Sequence, residues 1–191
     1  MTNKAEKAIE IAEKITDLYE TNRLLEYDPY EYQKRFHDAK DMTGRLARQR
    51  LLMAANKTGK TFCGASEMAF HLTGRYPKWW QGARFNRPIQ AWAAGNTTAN
   101  TRDIVQAELL GEPGDEDEFG KGAIPKQYIV GTPLRMPGVP NAYQSLNVKH
   151  VSGRNSKLIF KSYEQGKMQW MGKAVDVTWL DEEPPQDIYS Q

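Results

Sequence analysis

What this chain lacks excludes several kinds of protein. Its 191 residues contain a single cysteine, Cys63, so neither an intramolecular disulfide nor a cysteine-rich metal site is available. No apolar run approaches the ~20 residues that span a bilayer, and the charged start is not the basic-then-apolar pattern of a secretory leader. A cytosolic protein with no membrane partner is expected. His37, His71 and His150 have no ligand spacing among them, so ordinary surface or core roles are expected rather than metal binding. An excess of one charge is missing too. With 26 Lys and Arg against 24 Asp and Glu, net +2, the whole chain generates no field that would announce a nucleic-acid binder, although a local basic patch stays open. Internal repeats and low-complexity segments are absent.

What is present suits a globular domain with a real core: 39% of residues are hydrophobic and 26% charged. Residues 3–27 carry apolar side chains at three- and four-residue spacing (Ala5, Ala8, Ile9, Ala12, Ile15, Leu18, Tyr19), which predicts an amphipathic helix. A second helix is predicted from Asp28-Pro29, with Tyr30, Gln33 and Phe36 on one face. The run Leu51-Leu52-Met53-Ala54 predicts a buried strand, followed by a helix over 60–72 with Gly74 as its stop. Further on, a strand is predicted over 89–94, a helix over 98–110, and an acidic solvated loop over 111–122. A hairpin of 146–151 with 158–163 and a strand over 175–180 complete the reading. Strands alternating with helices predict an α/β domain with a mostly parallel sheet. The organisation expected is an N-terminal helical segment, 1–45, and a core, 46–191.

Two segments carry chemistry. Ala54-Ala55-Asn56-Lys57-Thr58-Gly59-Lys60-Thr61 fits the phosphate-loop pattern except for alanine in place of its first glycine. A strand, a tight loop and a helix N-terminus present backbone amides to phosphates. Gly59 permits close approach, Lys60 reaches the outer phosphates, and Thr61 offers a hydroxyl to magnesium. Much later, the strand-like run 175–180 ends in Asp181-Glu182. A nucleotide hydrolase of this type needs an acid there to hold magnesium, and a neighbouring glutamate to polarise the attacking water. Each motif alone has a bland explanation, a chance Gly-Lys-Thr or an acidic helix cap; both in order predict a Mg-ATP site. Upstream, Gln33 could read the adenine edge and Tyr30 could stack on it, with Arg23 as a helper.

Longer strings make the resemblance specific. Pro29-Tyr30-x-x-Gln33, Met53-Ala54-Ala55-Asn56-x-x-Gly59-Lys60-Thr61, the stretch from Ala69 to Pro77, Ile124-Pro125-Lys126, Gln165-Gly166-Lys167 before Trp170-x-Gly172, and Trp179-x-Asp181-Glu182-Glu183-Pro184-Pro185 together resemble the N-terminal ATPase domain of the large terminase subunit of tailed bacteriophages. The resemblance covers nearly the whole chain. It implies a P-loop NTPase fold of the additional-catalytic-glutamate class, with Gln33 at adenine, Lys60 and Thr61 at phosphate and magnesium, Asp181 at magnesium and Glu182 as catalytic base. It also implies a homo-oligomeric ring on a portal, driving double-stranded DNA into a procapsid in the host bacterial cytoplasm, with a small terminase subunit choosing the DNA.

This sequence departs from that family's pattern twice. Asn56 and Lys57 stand where many relatives carry an arginine in the phosphate loop, so a basic role there passes to Lys57. Met171 precedes Gly172 where many have an arginine that acts on a neighbour's ATP, leaving Lys167, Lys173 and Arg154 as candidates. After Glu183 no apolar run remains for another strand. The core is therefore expected to be incomplete at its C-terminus, with an open sheet edge, weak ATPase activity and no nuclease. A helicase-like or other DNA-dependent P-loop ATPase would share these motifs, and a prophage remnant could bind nucleotide without hydrolysing it.

Overall fold

The computed structural model of the protein describes residues 2–171 and 174–189. Five strands form one sheet: β1 Gln90–Gly95, β2 Ile129–Arg135, β3 Tyr143–Lys149, β4 Asn155–Ser162 and β5 Val177–Leu180. Their order is β2-β3-β4-β1-β5. Strand β1 pairs in parallel with β4 and β5, whereas β2–β3 and β3–β4 are antiparallel. The expectation of a mostly parallel sheet is thus corrected to a mixed one. The tight turn after Lys149 joins β3 directly to β4, and so short a connection permits only an antiparallel pair. Strand β2 is a further correction, since the sequence pattern predicts no strand there. Gly131 and Pro133 interrupt its pattern, and its pairing to β3 carries register shifts; a proline is tolerated here because β2 is an edge.

Helices cover one face. Helix α3, Lys60–Thr73, is buried from Ala65 onward and closes at Gly74, whose φ of +69° suits glycine. Helix α4 comprises three consecutive segments, Thr98–Asn100, a π-helical turn Thr101–Gln106, and Ala107–Leu110. Ala91 and Ala93 of β1 pack beneath these helices with Met68, Leu72, Leu109 and Phe160. The alternate side chains, Trp92 and Ala94, face a smaller cluster with Tyr163, Trp170 and Ile188. Ile188 comes from α5, Gln186–Tyr189. Trp80 is buried in rings from Phe70, His71 and Tyr76, which anchors the loop after α3.

Three more expectations are revised. Helix α1 spans Thr2–Glu20, not 3–27; a 3-10 turn, Arg23–Glu26, follows it. Residues 4–20 are all exposed, including Ile9, Ile15 and Tyr19, and none of its apolar stripe belongs to the core clusters. The acidic part of 111–122 is exposed, but Phe119 within it is a core residue, as are Ala123 and Ile124 just beyond it. The third revision is the largest. Leu51–Ala54 carries no regular structure and is not a buried strand: Leu51 and Met53 are each 80% exposed, and among the described residues no strand pairs with them. A strand exists only where a neighbour completes its ladder, and β5 is the last strand on that side.

Candidate active site

The predicted phosphate loop forms a tight turn before α3. Lys57 and Gly59 both adopt left-handed backbone, φ +61° and +79°, the kind of turn from which concave runs of amides are built. The Lys60 ammonium folds back onto the loop and donates to the carbonyls of Ala54 and Ala55, the latter at 2.7 Å. Thr58 Oγ1 donates to Ala55 O at 2.7 Å. A side chain at position 59 would be strained by φ alone, and its Cβ would lie 3.2 Å from Gln33 Nε2.

Helix α2 runs over Glu31–His37, so the first helical residue is not Pro29. Tyr30 is therefore its N-cap and does not share the Gln33 face. It is 65% exposed and stacks on Tyr32, with ring centroids 5.9 Å apart. Gln33 is only 3% exposed; its Nε2 donates to Gly59 O at 3.1 Å and its Oε1 accepts from Tyr30 N at 2.8 Å. Sequence reasoning missed Tyr32, whose hydroxyl donates to Thr58 O. Its signal was only adjacency to Gln33. Arg23 lies over the Phe62 ring and pairs with Glu108 at 3.1 Å.

The acidic pair lies at the C-terminal end of β5. Asp181 N continues the ladder to Ala94 O at 2.8 Å. Burial, then the nearby Glu182 and Glu108 charges, push the Asp181 carboxyl above its ordinary range, while Lys60 opposes that rise. The loop lysine and the strand-end aspartate, 121 positions apart in sequence, thus share one electrostatic environment. Their elements also touch. A Cβ at Gly64, one turn into α3, would lie 2.7 Å from the Trp179 indole of β5, so glycine permits this approach.

Glu182 has φ +66°, a conformation that costs a non-glycine residue about 1–2 kcal/mol. Two neighbours hold it. Asn96, just past β1, donates its amide to the Glu182 carboxylate. Tyr163 OH donates to the carbonyls of Asp181 and Glu182 at 3.1 and 3.2 Å. Asn96 was not singled out in the sequence; a polar residue ending a fully buried strand was the available signal. Lys167 lies in a turn following β4, whereas Arg154 is at the opposite end of that strand. Lys173 lies outside the described residues.

Behind the loop is a buried polar cluster. The Glu67 carboxylate of α3 accepts from both terminal nitrogens of the Arg50 guanidinium, and is bonded to His37 Nδ1 at 2.7 Å and His71 Nε2 at 3.2 Å. Arg50 NH1 also donates to Phe36 O and His37 O, each at 3.1 Å. One arginine thus joins the end of α2, the chain entering the loop, and α3. Burial alone would raise the Glu67 carboxyl, but bonds from His37 and His71 and the Arg50 charge outweigh it, holding the group well below the carboxylate range. Its stabilising contribution is full at neutral pH and is lost as pH falls below the ordinary glutamate range. Glu67→Ala strands Arg50, and removing one partner of a buried pair costs about 3–5 kcal/mol. In a chain of this size the expected fall in Tm is roughly 10 °C. Thermal unfolding checks this, and a change under ~2 °C contradicts it.

Comparison with known proteins places this geometry in context. The family described as terminase large subunit, T4likevirus-type, N-terminal, matches residues 51–191. The large terminase subunit of Salmonella phage P22 is 38% identical over 200 residues, covering 96% of this chain and 39% of the relative. The chain therefore spans about two fifths of that relative's length. No solved structure matches it.

Proposed function

Because the chain belongs to the terminase large-subunit family, we propose that it binds and hydrolyses ATP to move double-stranded DNA into a viral procapsid. The observation that carries this reading is the close approach of α3 to β5 at Gly64 and Trp179, which sets Lys60, at the head of that helix, within electrostatic reach of Asp181 at the strand end. Lys60 would exchange its two loop carbonyls for the outer phosphates. Glu182 would orient and deprotonate the attacking water. Gln33, already seated against the loop, would meet the adenine edge, with the loop residues Ala54, Ala55, Asn56, Lys57, Thr58 and Gly59 around the phosphates.

The residues fit a magnesium ion. Burial first, then the nearby Glu182 and Glu108 charges, raise the proton affinity of Asp181, and a divalent cation would offset both the lost solvation and the crowding of negative charge. Thr61 and Asp181 would hold it. When bound there it neutralises charge on the phosphate oxygens. The partners of this reading are a portal, a procapsid, a small terminase subunit and further copies in a ring.

The experiment measures ATP turnover with magnesium, linear duplex DNA and portal-bearing procapsids. Turnover that leaves the DNA double-stranded supports packaging; turnover with strand separation marks a helicase-like enzyme; nucleotide binding without hydrolysis marks a remnant. Base selection is a separate prediction. Gln33→Ala should lower the preference for ATP over GTP by about tenfold, the ~1.4 kcal/mol scale of one hydrogen bond, and change triphosphate affinity less. Competition binding with both nucleotides checks this, and an unchanged preference returns Gln33 to a purely structural role.

A further inference from the structure

Between α2 and the phosphate loop the chain carries an excess of positive charge. Residues 34–50 hold six Lys and Arg against two Asp, a net of +4 in a chain whose total is +2; the remaining residues are therefore net negative. Within this stretch the chain turns back on itself as a short hairpin. Ala47 N donates to Ala39 O at 2.9 Å and Asp41 N to Arg45 O at 2.7 Å, with Lys40 bridged to Leu46. Asp41 Oδ1 organises the tip by accepting from Thr43 N at 2.8 Å, Thr43 Oγ1 at 2.6 Å and Arg45 N at 3.1 Å. Gly44 supplies the left-handed residue, φ +79°.

The hairpin stands out into solvent. Met42 at its tip is fully exposed, the Arg45 side chain is 80% exposed, and Lys40, Arg48 and the adjoining Arg35 are exposed as well. It is nonetheless rooted in the core, because Arg50 at its base holds the end of α2 and Glu67 of α3. Arg50 is taken up by that anchoring, and Arg45, though exposed, donates Nε to Thr43 Oγ1 at 2.9 Å and lies 3.7 Å from the Asp41 carboxylate; the cations offered to a partner are Arg35, Lys40, Arg48 and, shared with the tip, Arg45.

We propose that this hairpin, 39–47 with its flanking cations, is a phosphate-binding surface for duplex DNA. The proposal rests on the DNA-packaging reading and names the surface that reading leaves unspecified. A duplex presents one negative charge per ~1.7 Å of its axis, and a rigid, projecting group of Arg and Lys neutralises such a backbone without reading sequence. Because the hairpin lies between α2 and the loop, a duplex held there would touch an element rooted on both sides of the nucleotide site.

The test is binding of a random-sequence duplex by fluorescence anisotropy over a range of salt concentrations, with Mg-ATP affinity measured on the same samples. Lys40→Gln combined with Arg45→Gln and Arg48→Gln should weaken DNA binding about tenfold or more at low salt. The slope of log K against log salt should shrink by up to ~0.9 for each phosphate that is no longer neutralised. Mg-ATP affinity should be unchanged, and so should the Tm, since these side chains are exposed. Arg45→Lys with Arg48→Lys, which keeps the charge, should retain the parent slope. Equal affinity and slope for parent and triple variant overturn the proposal. So does a parent that binds no duplex, or a triple variant that loses only procapsid binding. Absence of Mg-ATP binding by the parent would instead count against the nucleotide reading and leave the DNA result to be judged on its own.

Discussion

Replacing Lys60 with alanine is expected to cost about 1.5–3 kcal/mol of nucleotide binding, the range for a hydrogen bond to a charged group, or roughly 10- to 150-fold in affinity. The ammonium is positioned at the head of α3 and donates to the carbonyls of Ala54 and Ala55, so it is already on the loop that would wrap the phosphates. It also acts on Asp181 across the site. Losing it removes one cation from both the triphosphate and the carboxylates. Turnover should fall at least as far as affinity, because charge on the γ-phosphoryl group is what such a site stabilises. Titration with ATP and a hydrolysis assay in one preparation check the expectation. Equal affinity and rate for Lys60→Ala and parent would remove the phosphate-loop assignment.

Glu182→Gln should divide binding from chemistry. The amide keeps the shape of the side chain and can still meet Asn96, so Mg-ATP should bind within about threefold of the parent. It cannot accept a proton, so hydrolysis should drop roughly 10²- to 10⁴-fold, the usual contribution of a general base. Asp181→Asn should behave differently. Its carboxyl is partly buried beside Glu182 and Lys60, and with that charge gone the magnesium dependence and affinity should weaken together. Single-turnover measurements at several magnesium concentrations separate the two. Identical behaviour, with both variants losing nucleotide, would show that the roles are not divided as proposed.

The parts of this account legible in the sequence are those that local pattern dictates. The loop declares itself by Gly59-Lys60-Thr61 ahead of a helical pattern, and the acidic pair by its place at the end of an apolar run. The β3–β4 hairpin is visible in its turn at Ser152-Gly153. The run Leu51–Ala54 looks equally clear and is not a strand, because periodicity reports apolar content and says nothing of whether a neighbour completes the ladder. Strand β2 fails in the opposite sense: Gly131 and Pro133 hide a strand that an edge position tolerates.

Contacts between distant elements were not legible at all. Nothing local in the sequence marks Glu67, yet it is buried among Arg50, His37 and His71, residues 4 to 30 positions away. Tyr30 caps helix α2 while Tyr32 reaches Thr58 O of the loop, because the helix starts at Glu31, later than Pro29 suggests. Asn96 meets Glu182 only because β1 and β5 are neighbours in parallel register, a pairing no local signal states.

The most direct measurement of the central claim counts two quantities in one reaction: ATP hydrolysed, and base pairs of duplex DNA protected from nuclease inside procapsids, with protein, magnesium and linear DNA supplied. The account predicts that the two rise together and that Glu182→Gln stops both while nucleotide stays bound. Protected DNA that accumulates without hydrolysis, or hydrolysis that continues in Glu182→Gln, would contradict it.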